Sequence, residues 1–377
     1  MPNDPAETPQ SPEPEKIGIS SDSSREKLDR KLSVAPMMDW TDRHCRYFLR
    51  GFSPRVLLYT EMITAAALVH GDRARLLRHC PQEHPLALQL GGSDPALLAA
   101  AARAGEQAGY DEINLNCGCP SDRVHAGAFG ACLMLEPGRV AEGVAAMRAA
   151  VAIPVTVKMR IGVVPGCQPR ARLGATSQDG ASGASGEFGE REYERLSGFT
   201  AAVRDAGCRH FIVHAREAVL GGLSPKENRQ VPPLRFDIVQ RLKHDHPQLW
   251  IGVNGGLRTA AQCREALAWS DGVMLGREVY HRPYVLAELH AEIFDDGWRS
   301  PSAEVVLERM ADYVGREVAA GTRLSAITRH MLGLASGRPG ARRYRHWLSQ
   351  AALALPASSA ADAAARLLRQ AAAYCSA

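Results

Sequence analysis

Residues 86–116 read LALQLGGSDPALLAAAARAGEQAGYDEINLN. Two short apolar runs, Leu86–Leu90 and Glu112–Asn116, flank a stretch over Pro95–Ala108 in which Leu and Ala recur at helical spacing. Each run is too short for a helix and rich in Leu or Ile, as a strand buried on both faces is. A strand, a helix of this length and a second strand imply a parallel pair. The pattern continues outward in both directions. Leu32–Ala35 and Val56–Thr60 precede it, and Pro154–Lys158, His210–His214, Leu249–Val253 and Gly272–Leu275 follow. Helical spacing recurs at Pro137–Val151, Glu192–Ala206 and Thr259–Ala268. Eight such units predict an α/β fold, a (β/α)8 TIM barrel with a C-terminal helical domain. A doubly wound sheet is the alternative, but no GxGxxG follows the first strand.

The barrel is expected over residues 29–300. Residues 1–28 are rich in Pro, Ser, Glu and Asp and poor in large apolar residues, so they read as a disordered tail. Residues 163–187, VVPGCQPRARLGATSQDGASGASGE, lack periodicity and read as a flexible insert after the fifth strand. The insert is either a passive loop or an RNA contact through Arg170 and Arg172. Residues 301–377 hold no strand pattern; helices are expected at Ser302–Ala320, Ser325–Leu334, Ala341–Leu353 and Ser358–Tyr374.

No apolar run approaches the roughly 18 residues of a membrane span, and the N-terminus lacks the order of a secretory signal. A soluble, cytoplasmic protein is the expectation, acting as a monomer. The nine cysteines are scattered and odd in number, which argues against a disulfide framework. No CxxC pair is present, so no metal site is expected. Net charge is +4 but uneven: residues 301–377 carry ten Arg against five acidic residues. That excess suits an anionic partner such as nucleic acid, or is a solvated helical face.

In a barrel the C-terminal strand ends converge on one face. Here they carry Pro36-Met37-Met38, Thr60-Glu61, Gln89, Asn116 with Cys119, Lys158 with Arg160, His214 with Arg216, Asn254-Gly255-Gly256 and Gly276-Arg277. Any one of these has an ordinary structural reading. Polar groups at nearly every strand end are hard to attribute to packing. The glycines after strands seven and eight, with Arg277, occupy the usual phosphate position of such barrels.

The stretches VAPMMDWTDRHCRYFLR, LQLGGSDP, YDEINLNCGCPSDRV, GAFGACLM, VKMRIG, VHAR, LSPKENR, NGG and GR together resemble the tRNA-dihydrouridine synthases, and among them the A-type bacterial subfamily acting at positions 20 and 20a of the D-loop. The resemblance runs from about Leu32 to about Leu348, apart from the insert. It implies FMN as cofactor, NADPH as reductant and tRNA as partner. Pro36, Met37 and Met38 would lie against the flavin, Gln89 would bond its polar edge, and Lys158 would stand beside the reduced ring. His214 would touch the flavin or its ribityl chain, and Asn254, Gly255, Gly256, Gly276 and Arg277 would hold the phosphate. Asn116 would orient the target uracil and Cys119 would be the proton donor. Cys117 stands where an apolar residue is expected. Lys226 and Arg229 of LSPKENR, and Arg329 and His330 of the helical domain, are expected to touch tRNA phosphate or sugar.

The implied chemistry accounts for these residue types. Hydride addition at C6 of uracil leaves an enolate-like anion that needs a proton at C5, and a thiol is a suitable acid. The base must leave its stack to reach a barrel mouth, and contacts elsewhere offset that cost. Two other readings stand beside this one: an FMN barrel acting on a free pyrimidine, and a tRNA-binding protein without catalysis. The basic tail and LSPKENR weigh against the first; Cys119, Asn116 and Lys158 together weigh against the second.

Overall fold

The computed structural model describes residues 28–121, 129–165, 188–221, 223–354 and 361–375. Its strands are β1 (Leu32–Val34), β2 (Leu58–Tyr59), β3 (Ile63–Thr64), β4 (Leu86–Gly91), β5 (Glu112–Cys117), β6 (Val155–Arg160), β7 (Val163–Pro165), β8 (His210–His214), β9 (Ala218–Leu220), β10 (Trp250–Asn254) and β11 (Gly272–Leu275). Eight of them run parallel in the order β1-β11-β10-β8-β6-β5-β4-β2. The ring closes between its first and last strands. Val34 N–H donates to Leu57 O and Leu57 N–H to Leu32 O, both at 3.0 Å. The predicted eight-stranded barrel is therefore the observed one.

Side chains alternate across each strand. On β5, Ile113, Leu115 and Cys117 face the helices and are essentially fully buried. Glu112, Asn114 and Asn116 have the opposite parity and face the barrel interior. The apolar part of that interior is Ala35, Leu57, Tyr59, Ala87, Ile212 and Met274. Trp250 fills the space beside Gly252 and Gly272, where an added Cβ would lie 2.6 and 2.5 Å from the indole.

The outer helices are locally encoded. Pro95–Gln107 begins after Asp94, whose side chain accepts from Leu97 N–H, with Pro at its first position. It buries Leu98, Ala101, Ala102 and Gly105, one face at helical spacing.

After residue 300 the chain is helical, with helices Ala303–Ala319, Leu324–Thr328, Ala341–Ala354 and Ala361–Ala371. Helix Arg43–Leu49, which follows β1, forms the joint to this part. Tyr47 stacks on Tyr313 with ring centroids 4.0 Å apart. His44 Nδ1 lies 2.7 Å from Tyr313 OH. Asp42 caps helix Arg43–Leu49 through Oδ1, which accepts from His44 and Cys45 N–H. Its Oδ2 accepts from Arg329 at 2.8 Å and lies 3.0 Å from His330 Nε2. Burial alone would push the Asp42 carboxyl up, but His330, the capped amide and Arg329 hold it well below the usual range.

Three sequence expectations change. Val163–Pro165, the start of the expected insert, is strand β7 paired in parallel with β9, which satisfies its backbone. Residues 166–187, including Arg170 and Arg172, lie outside the described residues, as does the tail up to residue 27. Leu28, assigned to that tail, packs against the barrel's inner cluster. The helix expected at Ser325–Leu334 ends at Thr328. Beyond it the chain passes so close to residues 280–281 that a Cβ on Gly333 would lie 2.6 Å from His281 O.

Asp42→Ala removes a cap and strands a buried imidazole nitrogen, so it should destabilise the protein by roughly 2–4 kcal/mol. Thermal unfolding followed by circular dichroism would show the loss. Because the folded carboxyl titrates below its unfolded value, its contribution is complete above about pH 4 and fades as pH falls. Equal melting temperatures for wild type and variant at neutral pH would contradict this account of the joint.

Candidate active site

Alternation places Gln89 of β4, Asn116 of β5, Lys158 and Arg160 of β6, His214 of β8 and Asn254 of β10 inside the barrel near its C-terminal mouth. Register aligns them: Asn116 opposes Lys158, Arg160 opposes His214, and His214 opposes Asn254.

Asn116 organises the turn that carries Cys119. Its Oδ1 accepts from Gly118 N–H at 3.1 Å and Cys119 N–H at 3.0 Å. Its Nδ2 donates to Gln89 Oε1 at 2.8 Å. With both oxygen lone pairs engaged, Asn116 has one N–H left to offer a ligand. The other side of the turn is tied down: Ala131 N–H donates to Cys119 O, and Arg160 Nε donates to Gly118 O at 3.1 Å. Cys119 is half-buried on the mouth side. Cys117 is fully buried against the helix layer, and burial pushes its thiol well up.

The mouth is cationic. Lys158 donates to Asn254 Oδ1 at 3.1 Å, and Asn254 Nδ2 to Met274 O at 2.7 Å. Burial, and then the neighbouring Arg160, bring Lys158 down to about 7. Burial lowers Arg160 to about 10, with Arg229 and Arg216 adding to the effect. Burial followed by Arg160, Lys158, Arg216 and Arg229 keeps His214 neutral. Arg216 and Arg229 are each held down by burial and then by Arg277. Cations press on cations here, so an anion at this mouth would relieve all of them at once.

The glycines after β10 make room. Gly255 has φ +111° and Gly256 φ +71°, and a Cβ on Gly255 would lie 2.4 Å from the His214 ring. Gly276 caps helix Arg277–His281, and a Cβ added to it would lie 3.5 Å from Met37 Sδ. Pro36 is partly buried and Met38 exposed, at the same end as Gly276. The residues read from the strand ends are therefore gathered at one mouth, and its cationic set fits an anionic, phosphorylated ligand.

A family model described as Dihydrouridine synthase (Dus) matches residues 33–181 and 188–370. The chain is 54% identical over 333 residues to the tRNA-dihydrouridine(20/20a) synthase of Pseudomonas syringae pv. tomato, covering 88% of this chain and 92% of that one. The chain belongs to the dihydrouridine synthase family. Proteins of the same description from Synechocystis sp. and Escherichia coli O6:H1 are 51% and 49% identical, each covering 85% of this chain and 89% of the relative. Dihydrouridine synthases are in general flavin-dependent oxidoreductases.

The remaining expected residues of this dihydrouridine synthase divide by exposure. In LSPKENR, Asn228 is fully buried and exchanges bonds with Val219 N–H and O, fixing the turn. Lys226 and Arg229 are both exposed, and Arg277 donates to Arg229 O at 3.4 Å. Arg329 is exposed but bonded to Asp42. His330 is a correction: it is buried, with one ring nitrogen engaged by Asp42 and the other by Tyr280 OH, so it serves the joint and has no hydrogen-bonding atom left to give to RNA.

Sequence reasoning left Arg160 without a role, although it noted the residue at a strand end. Its Nη1 donates to Glu217 O and Asn228 O at 3.0 Å, so one guanidinium ties the Cys119 turn to the LSPKENR turn. Among the described residues no group of three or more His, Cys, Asp or Glu is placed to hold a metal, and no helix is long and apolar enough to cross a membrane.

Iodoacetamide added to the native protein should alkylate Cys119 and spare Cys117 until the protein is denatured, as read by peptide mass spectrometry. Native labelling of Cys117 with Cys119 untouched would contradict the placement of the two thiols.

Proposed function

We propose that this chain reduces uridine to 5,6-dihydrouridine at positions 20 and 20a of the tRNA D-loop, with FMN at the barrel mouth and NADPH as reductant, as a cytoplasmic monomer. The observation that carries the reading is the Cys119 turn. The backbone of the turn that carries a half-buried thiol is held by Asn116 and Arg160 at a cationic barrel mouth. The names of relatives covered over most of their length support tRNA as substrate.

FMN would rest on Pro36, Met37 and Met38, with Gln89 at its polar edge and Lys158 beside it. Its phosphate would meet the backbone of Gly255, Gly256 and Gly276 and the Arg277 side chain. His214, held neutral, can donate or accept a hydrogen bond without adding charge. When bound, FMN supplies the hydride received by C6 of the uracil, and NADPH renews it. Asn116, with one N–H to spare, would hold a uracil carbonyl oxygen. Cys119 would give its proton to C5 as negative charge develops there. Lys226 and Arg229 beside the mouth, and the basic helical domain with Arg329, would hold tRNA phosphate and sugar and offset the cost of flipping the base.

Cys119→Ala should keep bound FMN and its bleaching by NADPH, yet lose most dihydrouridine formation on unmodified tRNA, roughly a hundredfold or more. Cys117→Ala should stay within a few-fold of wild type. The reverse pattern would overturn the assignment, and a protein that takes up no FMN would overturn the flavin reading.

Lys158 gives a second test. Burial and Arg160 bring its free value down to about 7, and the anionic reduced flavin beside it would draw that value back up. Reduction of bound FMN at pH 8 should therefore take up more protons in wild type than in Lys158→Met. The slope of the flavin reduction potential against pH measures this. Equal slopes in the two proteins would assign the proton elsewhere.

A further inference from the structure

A single line of hydrogen bonds descends from the Cys119 turn through the barrel interior. Cys119 N–H donates to Asn116 Oδ1 at 3.0 Å, and Asn116 Nδ2 to Gln89 Oε1 at 2.8 Å. Gln89 Nε2 donates to Asn114 Oδ1, and Asn114 Nδ2 to Thr156 Oγ1, both at 2.8 Å. Thr156 Oγ1 donates to Glu112 Oε1 at 2.7 Å, a far better acceptor than Ile113 O at 3.5 Å. Gln89, Asn114, Thr156 and Glu112 are at most 1% exposed, and Asn116 is 8% exposed.

Every bond points the same way, and the two ends explain why. A backbone N–H can only donate. A carboxylate can only accept, and Glu112 pairs with Arg30 Nε at 2.6 Å, with Tyr59 OH also donating to it at 2.8 Å. Thr156 must therefore spend its hydrogen on Glu112 and accept from Asn114. That turns the Asn114 oxygen toward Gln89, and the Gln89 oxygen toward Asn116. Reversing any one amide sets two donors or two acceptors face to face.

We infer that Glu112, Thr156 and Asn114 are positioning residues: from the closed end of the barrel they determine which atoms Gln89 and Asn116 present at the mouth. Gln89 is left with one N–H and one lone pair there, and Asn116 with one N–H. The inference rests on the reading that Gln89 borders the flavin.

Thr156→Val keeps the shape and removes the hydroxyl, leaving the Asn114 amide without an acceptor, so that it turns away and releases Gln89. Thr156→Ser keeps the hydroxyl. Ile212→Val, another barrel-interior change, removes one methylene and no hydrogen-bonding group. For each protein, FMN affinity of the apoprotein, the flavin absorption maxima, and kcat and KM for tRNA would be measured alongside the melting temperature.

Thr156→Val should weaken FMN binding roughly tenfold, shift the flavin bands and lower kcat with KM for tRNA little changed. Thr156→Ser should restore all three, and Ile212→Val should lower the melting temperature alone. The inference is overturned if Thr156→Val matches Ile212→Val in affinity, spectrum and kcat, or if Thr156→Ser is as impaired as Thr156→Val. A wild-type protein that binds no FMN would instead remove the reading on which the inference rests.

Discussion

Glu112 is fully buried near the closed end of the barrel, and Arg30, Tyr59 and Thr156 satisfy it. A polar interior is tolerable only when such groups are paired, because an unsatisfied one costs about 1–3 kcal/mol and a stranded charge more. Here the requirement propagates upward. Satisfying Glu112 orients Thr156, then three carboxamides, and finally the backbone of the Cys119 turn. The inner face of β5 is thus a polar spine, while its outer face, Ile113, Leu115 and Cys117, is ordinary core.

A second set of contacts acts across the mouth. Arg160 joins the Cys119 turn to the LSPKENR turn, and Asn228 holds that turn against β9. The Cys119 turn is thus fixed by Asn116 on one side and by Arg160 on the other. Around it, burial and mutual repulsion lower the affinity of Lys158 and His214 for protons. The fold bears that strain through its core packing, and an anionic cofactor would relieve it.

Much of this could be read from the chain. The eight barrel strands stand out because burial on both faces demands short, nearly continuous apolar runs. The mouth residues stand out because polar side chains interrupt those runs at their ends. Other features depend on contacts between distant residues. His330 lies in an Arg-rich region and reads as surface, yet Asp42, 288 residues away, takes it into the joint. Val163–Pro165 reads as loop because its partner strand β9 lies beyond the insert. The downward chain from Gln89 was hidden for the same reason: alternation in EINLN marks which residues face inward, but not which neighbours meet them.

This chain is proposed to reduce specific uridines in tRNA. Mass spectrometry of tRNA from cells lacking the protein, mapped by position, tests this most directly. Dihydrouridine should be absent at positions 20 and 20a, retained elsewhere, and restored by the wild-type chain. Dihydrouridine undiminished at both positions would contradict the claim.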